Sequence, residues 1–488
     1  MPGSAMRIEA LETPCLGNRS YVITSGREAI VVDPPRDIDR VESLVDACGA
    51  TRIALIVETH RHADYVSGGL HLARRHRADY VVPSGDPEPR FPFIAALPGD
   101  VHGAGSIGVR VVATPGHTPH HVAYVIETDR PVAVCTGGSL LHGTVGRTDL
   151  YGEALTRPLA HAQWHSARRL LDMLPADVTI LPTHGFGSLC SAGGVVNPST
   201  STLGEESSTN NALGLAESVF VPMLIDGYGP IPRHYSRLPV LNAAGPQPLD
   251  LSPAPQLDPS ELLAQRDLGN WLVDVRDRRS FARAHLRGSV NVEASGPLVA
   301  YLPWILPAGA GVVLLGDADS IESAQRQLTQ VGIDRPVGVA VASSESSAES
   351  WAEADPASYA VGTFTGLFEA ATTRGAAVAL DVRSAQEWAA SRVQGALHFA
   401  LPDLASTLDS APTAAATADQ WARADIWVYC GGGFRAAIAA SLLSAAGVRV
   451  TLIDQPFSAA EEAGLTSRDT PVEVRSGPTT TGVSAEIG

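Results

Sequence analysis

The chain has 488 residues, 44% of them hydrophobic and 18% charged, with a formal net charge of −17. That length is too great for one core and predicts about three domains. The acidic balance excludes broad binding to nucleic acid or anionic membranes, whose phosphates it would repel, and no run of about 18 apolar residues is present to span a bilayer.

All 35 basic residues are Arg, and the five cysteines, Cys15, Cys48, Cys135, Cys190 and Cys430, are odd in number and far apart. This pattern suits reduced thiols better than a disulfide framework. The opening "MPGSAMRIEALETPCLGNRS" lacks the basic-then-apolar layout of a secretory signal, so a cytoplasmic location is expected.

From Gly26 to about Cys190 the chain is dominated by strand-like runs: "EAIVVDPP", "RIALIVET", "YVVP", "VRVVATPG", "VAYVIE", "PVAVCTGG" and "VTILPTHG". A helix with an apolar stripe (Leu159, Trp164, Leu170, Leu171, Leu174) is predicted over Leu155 to Leu174. Polar residues able to bind metal recur where the strands end, which suits two packed sheets with helices outside and a site at the sheet edges. These residues are His60, His62 and Asp64 in "ETHRHADY", His117 in "TPGHTPHH" and His184 in "PTHG". Imidazole nitrogen and carboxylate oxygen converging from separate strand ends are the donors a divalent ion needs.

Residues 191 to 212 are rich in Ser, Thr, Gly and Asn and read as an irregular crossing inside a first domain of residues 1–245. A Pro-rich linker follows at 246–259. Two segments of one plan come next, 260–345 and 356–475, aligned by Asp274-Val275-Arg276 and Asp381-Val382-Arg383 as a repeat of about a hundred residues. The last residues, 476–488, read as a disordered tail. In the second segment a strand delivers Cys430 into "CGGGFR". There Gly431, Gly432 and Gly433 let backbone N–H groups curl round the sulfur, while the following helix N-terminus and Arg435 favour an anion. The first segment has Asp317 where that cysteine would stand, so it reads as non-catalytic.

H-x-H-x-D, P-G-H-T, T-G-x-x-L-L and P-T-H-G, in this order, resemble the metallo-β-lactamase superfamily. With the downstream repeat, the chain is similar to persulfide dioxygenase–rhodanese fusion proteins over nearly its whole length. The resemblance implies an N-terminal αββα sandwich followed by two rhodanese-like α/β domains, an iron centre, and oxidation of a small thiol persulfide. For C-x-x-G-x-R it implies a rhodanese loop, with Cys430 and Arg435 catalytic and Gly431, Gly432, Gly433 and Phe434 binding substrate. The implied partners are thiosulfate or a small thiol persulfide as donor and a low-molecular-weight thiol as acceptor; a homodimer is admitted.

Two departures stand out. The family's H-x-H-A-D-H ends here in Tyr65, and its T-G-D aspartate, an iron ligand, is Gly138. Three outcomes stay open: Asp64 supplies the lost charge, His60, His62 and His117 hold one zinc ion, or the site is empty. The second metal position of two-metal relatives is not expected to be filled. The expected cofactor is therefore one divalent ion, Fe or Zn. The alternatives to sulfur transfer are a zinc thioester hydrolase resembling glyoxalase II and a non-enzymatic sulfur carrier. His161, His165, His71 and His76 read as helix residues, His120 and His121 as loop-shaping, and Cys135 as a buried thiol. Cys190, close in sequence to His184, is given no role.

Overall fold

In the computed structural model, residues 6–468 are described apart from 86, 193–199, 308, 343–350, 352–353, 375–376, 410–420 and 422–423. The tail read as disordered lies outside the described residues. The chain divides into two compact units, Met1–Pro356 and Ala357–Gly488.

Two six-stranded sheets open the first unit. The first runs Arg7–Thr13, Asn18–Ser25, Glu28–Val32, Arg52–Val57, Asp79–Val82, Ile94–Ala95, each strand beside the next. The second runs through Val101–Ala104, Ile107–Ala113, Val122–Glu127, Pro131–Gly137, Thr179–Pro182 and Ser201–Thr202, again each beside the next. Alternation along each strand explains the layers. Tyr21, Ile23, Ile30, Leu55, Tyr124 and Ile126 meet between the sheets. Val22, Val31 and Ile56 face the outer layer of the first sheet, and Ala123 and Val125 that of the second. Helices Ile38–Ala47 and Gly69–His76 cover the first sheet, and Glu153–Met173 and Glu217–Asp226 the second. Strands buried on both faces read as continuous apolar runs, as Glu28–Val32, Arg52–Val57 and Val122–Glu127 do.

The stretch 191–212 is not an irregular crossing throughout. Ser201–Thr202 adds an edge strand, and a helix spans Leu203–Thr209. Thr202 and Glu205 form a capping box there, a helix start that the polar composition masks.

After the linker, a parallel sheet has the order Val290–Asn291, Trp271–Asp274, Val312–Asp317, Gly338–Ala342. The second unit repeats that order with Leu397–His398, Ala377–Asp381, Asp425–Tyr429 and Val450–Ile453, and adds Ala360–Gly362 at the edge. The shared Asp-Val-Arg does the same work in both. Nε and Nη2 of Arg276 fork onto Asp274, and Nη2 also reaches the Ala284 carbonyl. Arg383 makes the matching contacts with Asp381 and the Ser391 carbonyl. In each case the carboxylate also accepts the arginine's own N–H, closing the turn at the strand end.

Candidate functional site

Four strands of the sandwich end beside one another and deliver the histidine cluster: His60 follows Arg52–Val57, His117 follows Ile107–Ala113, Gly138 follows Pro131–Gly137, and His184 follows Thr179–Pro182. His60, His62, Asp64, His117 and His184 are each no more than 2% exposed. The donor atoms of His60, His62 and His184 lie within 4.8 Å of one another. Nε2 of His60 and Nε2 of His184 are 3.1 Å apart.

Each ring is held from behind. His62 turns Nε2 to Glu58, at 3.0 Å, and to Asp33, at 3.3 Å. Burial opposes its charge, but these two carboxylates outweigh it and push His62 up to about 10. His117 donates Nδ1–H to the Arg147 carbonyl at 2.7 Å, and its backbone N–H is carried by Gln163. Burial and then the charge of His184 hold it at about 3, so it is neutral. His184 Nδ1 meets Asn18 Oδ1 at 3.0 Å and Asp64 Oδ2 at 3.3 Å. A histidine whose rear nitrogen is fixed by a carbonyl or carboxylate presents the other to a metal.

Two further atoms test whether a metal fits. His62 Nδ1 and Asp64 Oδ1 are buried without a hydrogen-bond partner, a cost that coordination would offset. The cluster therefore fits a divalent ion. It does not fit a ligand set with its carboxylate at position 138. A Cβ on Gly138 would lie 2.2 Å from His117 Cδ2 and 2.9 Å from its Nε2, so the ring occupies the room an aspartate needs. Gly138→Asp is accordingly expected to destabilise the protein by about 1–3 kcal/mol through overpacking. Melting of metal-free protein checks this; an unchanged midpoint would mean the His117 ring yields freely.

Tyr65 points its phenol at the Asp33 carbonyl, 3.0 Å away, and its ring lies tilted against His62, with centroids 4.4 Å apart. Asp64 directs Oδ2 to Asn18, at 2.7 Å, and keeps Oδ1 free of any hydrogen-bond partner. His121, read from sequence as shaping a loop, is buried in the cluster. It stacks 4.9 Å from His60 and accepts the Gly138 N–H at 3.0 Å. A cavity of about 10 Å³ adjoins the cluster, lined by residues that include Glu58, His60 and His62. That is room for about one water.

In the second unit the strand Asp425–Tyr429 ends at Cys430, which is 2% exposed. The Gly433 N–H donates to its Sγ at 3.1 Å, from a backbone with φ of +93° that favours glycine. The helix Phe434–Ala445 starts at once, setting its N-terminus behind the sulfur. The two terminal nitrogens of Arg435 fork onto Glu387 at 2.7 Å each. Glu387 is also the capping-box partner of Ser384, so an anchored carboxylate competes for the guanidinium. Behind the loop, Arg383 lies 3.7 Å from the Phe457 ring centroid, and the Phe457 N–H donates to the Gly431 carbonyl.

Burial would raise the Glu387 pKa, but Arg435 and then Ser384 hold it at about 2, below its ordinary 4.5. A depressed carboxylate contributes stability that is present above 4.5 and lost as pH falls toward 2, here reduced by solvent screening. Glu387→Gln is expected to flatten that part of the acid dependence. Denaturant melts across the window check it, and an unaltered slope would remove the pair from the acid response.

Residues 13–185 match the metallo-beta-lactamase superfamily, and residues 366–463 match the rhodanese-like domain. The persulfide dioxygenase ETHE1, mitochondrial, of Bos taurus is 30% identical over 226 residues, which cover 43% of this chain and 75% of that relative. The chain belongs to the metallo-β-lactamase superfamily. A hydroxyacylglutathione hydrolase of Methylococcus capsulatus is 29% identical over 45% of this chain and 82% of the relative. An atrochrysone carboxyl ACP thioesterase of Aspergillus fumigatus is 30% identical over 28% of this chain, which spans only 44% of that relative. Among solved structures, a metallo-beta-lactamase from Staphylococcus aureus subsp. aureus COL superposes with a TM-score of 0.62 at 26% identity. It covers 69% of this chain and 99% of its own, a share larger than residues 13–185 alone supply.

The metallo-β-lactamase domain thus brings together all five histidine and aspartate candidates, and the rhodanese-like domain presents Cys430 in its glycine loop. In the segment before it, Asp317 has a plain structural role. It caps the helix Ala318–Thr329 by accepting Ser320 N–H at 2.8 Å. That helix begins directly after its strand, so the loop is missing as well as the cysteine. His161 and His165 both pair with Glu217 on the protein surface. Among the described residues no helix is long and apolar enough to cross a membrane.

Proposed function

We propose that this protein is a rhodanese-type sulfurtransferase of sulfane-sulfur metabolism, with Cys430 as its sulfur carrier. The observation that carries the reading is the Gly433 N–H aimed at Sγ at 3.1 Å, in front of a helix N-terminus. Such donors stabilise a terminal sulfur anion. The Cys430 thiolate attacks the outer sulfur of thiosulfate; a new S–S bond forms, the donor's S–S bond breaks, and sulfite leaves with the bonding pair. A low-molecular-weight thiolate or cyanide then attacks the carried sulfur, and Cys430 departs as thiolate. Gly431, Gly432 and Phe434 shape the cradle. Arg435, in the first turn of the helix Phe434–Ala445 and paired with Glu387, is the catalytic cation that favours an anionic donor. Residues 260–345 are a non-catalytic rhodanese-like unit in this reading.

The metallo-β-lactamase domain is persulfide dioxygenase-like in descent, with one divalent ion held in the cluster of His60, His62, Asp64, His117 and His184. The nitrogen-rich donors and the absent carboxylate at 138 favour zinc over iron. When bound, such an ion would supply Lewis-acid polarisation. Thioester hydrolysis is the second reading, supported by the hydrolase and thioesterase relatives. The near-complete burial of the cluster weighs against any large substrate there.

The test is to expose the protein to thiosulfate and map added sulfur by peptide mass spectrometry. One extra sulfur on the Cys430 peptide, released by cyanide as thiocyanate, is the expected result. An unmodified Cys430 peptide would overturn the proposal.

A further inference from the structure

We propose that Cys190 is a metal ligand of the metallo-β-lactamase domain, binding one zinc ion together with His117 and His184. This rests on the reading that the domain holds a metal, and it names the anionic ligand that replaces the carboxylate missing at Gly138.

A divalent ion among neutral imidazoles in a fully buried site needs a negative partner. Asp64 turns only Oδ2 to Asn18 and His184, but among the described residues it belongs to no group of three donors within 4.8 Å of one another, and no side chain projects from position 138. The thiol of Cys190 stands in the same cluster. Its Sγ and the ligand atoms of His117 and His184 all lie within 4.8 Å of one another. The three residues are between 0 and 1% exposed. Cys135 is equally buried, but lies in the apolar layer between the sheets with no histidine donor grouped with it among the described residues, whereas Cys190 packs beside Ala63 and Tyr235 and also meets two histidines.

Independent contacts orient the set. His117 and His184 each have Nδ1 fixed, to the Arg147 carbonyl and to Asn18, which leaves Nε2 of both facing inward. Arg147 also holds the cysteine. Its backbone N–H donates to the Cys190 carbonyl at 2.9 Å, so one residue clamps the loops of two ligands. Its guanidinium is itself pinned, by Asp149 at 2.7 Å and by the Gly229 carbonyl at 2.7 Å. His60, with Nε2 at 3.1 Å from that of His184, stands beside the three as a fourth donor.

Imidazoles with one thiolate select zinc, and four protein donors close its coordination shell. A closed shell leaves no position for O₂, water or substrate, so this assignment excludes the hydrolytic reading of the domain, in keeping with a cluster that has room for about one water beside it. On this view the site that relatives use for chemistry braces the fold here, by tying together the ends of three strands.

X-ray absorption of the full chain reloaded with zinc tests this. A Cys430→Ser background removes the other sulfur candidate named above. One sulfur scatterer at about 2.3 Å, with nitrogens at about 2.0–2.1 Å, is expected. Adding Cys190→Ser should remove the sulfur shell and weaken zinc binding by more than the ~10–100-fold that loss of an outer partner costs. Cobalt-loaded protein should show a thiolate-to-cobalt charge-transfer band that the same variant lacks. Should the variant fail to fold, the sulfur shell of the parent decides alone. Stoichiometric zinc with only nitrogen and oxygen neighbours would overturn the role of Cys190 and leave the metal reading standing. No zinc bound by the reloaded protein would overturn both.

Discussion

Cys430→Ser is expected to abolish transfer of sulfur from thiosulfate to cyanide. A serine hydroxyl cannot carry sulfane sulfur, so the covalent route is lost, not slowed. The fold has little reason to change. The exchange is close in size, and the Gly433 N–H that met Sγ at 3.1 Å meets an oxygen instead. Melting of the variant should therefore match the parent. Thiocyanate formation is the readout, and turnover equal to that of the parent would remove Cys430 from the mechanism. Gly433→Ala separates the cradle from the nucleophile. It keeps the thiol but strains a backbone at φ +93°, and strain of this kind costs of order 1–3 kcal/mol. Activity should fall without vanishing, since the sulfur remains and only its donor moves.

The two sites were legible in the sequence to different depths. Asp274-Val275-Arg276 and Asp381-Val382-Arg383 announced a repeated unit because the Arg-to-Asp fork is local, spanning two residues. The strand ends bearing His60, His117 and His184 were visible because apolar runs stop there. Position 138 was visible as a missing carboxylate. What fills its space was not: the His117 ring comes from another strand, and only packing brings it against the Gly138 backbone. His121 was passed over for the same reason, as it meets the cluster through long-range contacts that no spacing rule reports. The Arg435 fork onto Glu387 was not visible, because that partner lies 48 positions away. The helix Leu203–Thr209 is a different failure, since its capping box stood in the sequence as Thr202 and Glu205.

Arg36→Ala is expected to cost the first unit about 3 kcal/mol, the lower end of what breaking a buried ion pair costs. The Arg36 side chain is 1% exposed, while its partner Asp334 is 37% exposed. The guanidinium forks onto both oxygens of Asp334 and reaches the carbonyls of Thr329 and Gln247, each at 3.1 Å. Its loss strands two carbonyls, whereas Asp334 can recover water, which is why the lower end applies. The position matters beyond its energy. Arg36 follows Asp33, which accepts the Thr59 N–H at 2.7 Å and supports His62, and Gln330 on the facing segment accepts the Val66 N–H at 2.7 Å. One buried arginine thus ties residues 329–334 to the loops that carry the histidine cluster. The variant should lower the unfolding midpoint and weaken zinc binding, while Cys430-dependent thiocyanate formation stays at the parental rate. A midpoint equal to the parent's would mean the seam is held by its other contacts, Arg326 to Asp39 and Arg237 to the Val331 carbonyl among them.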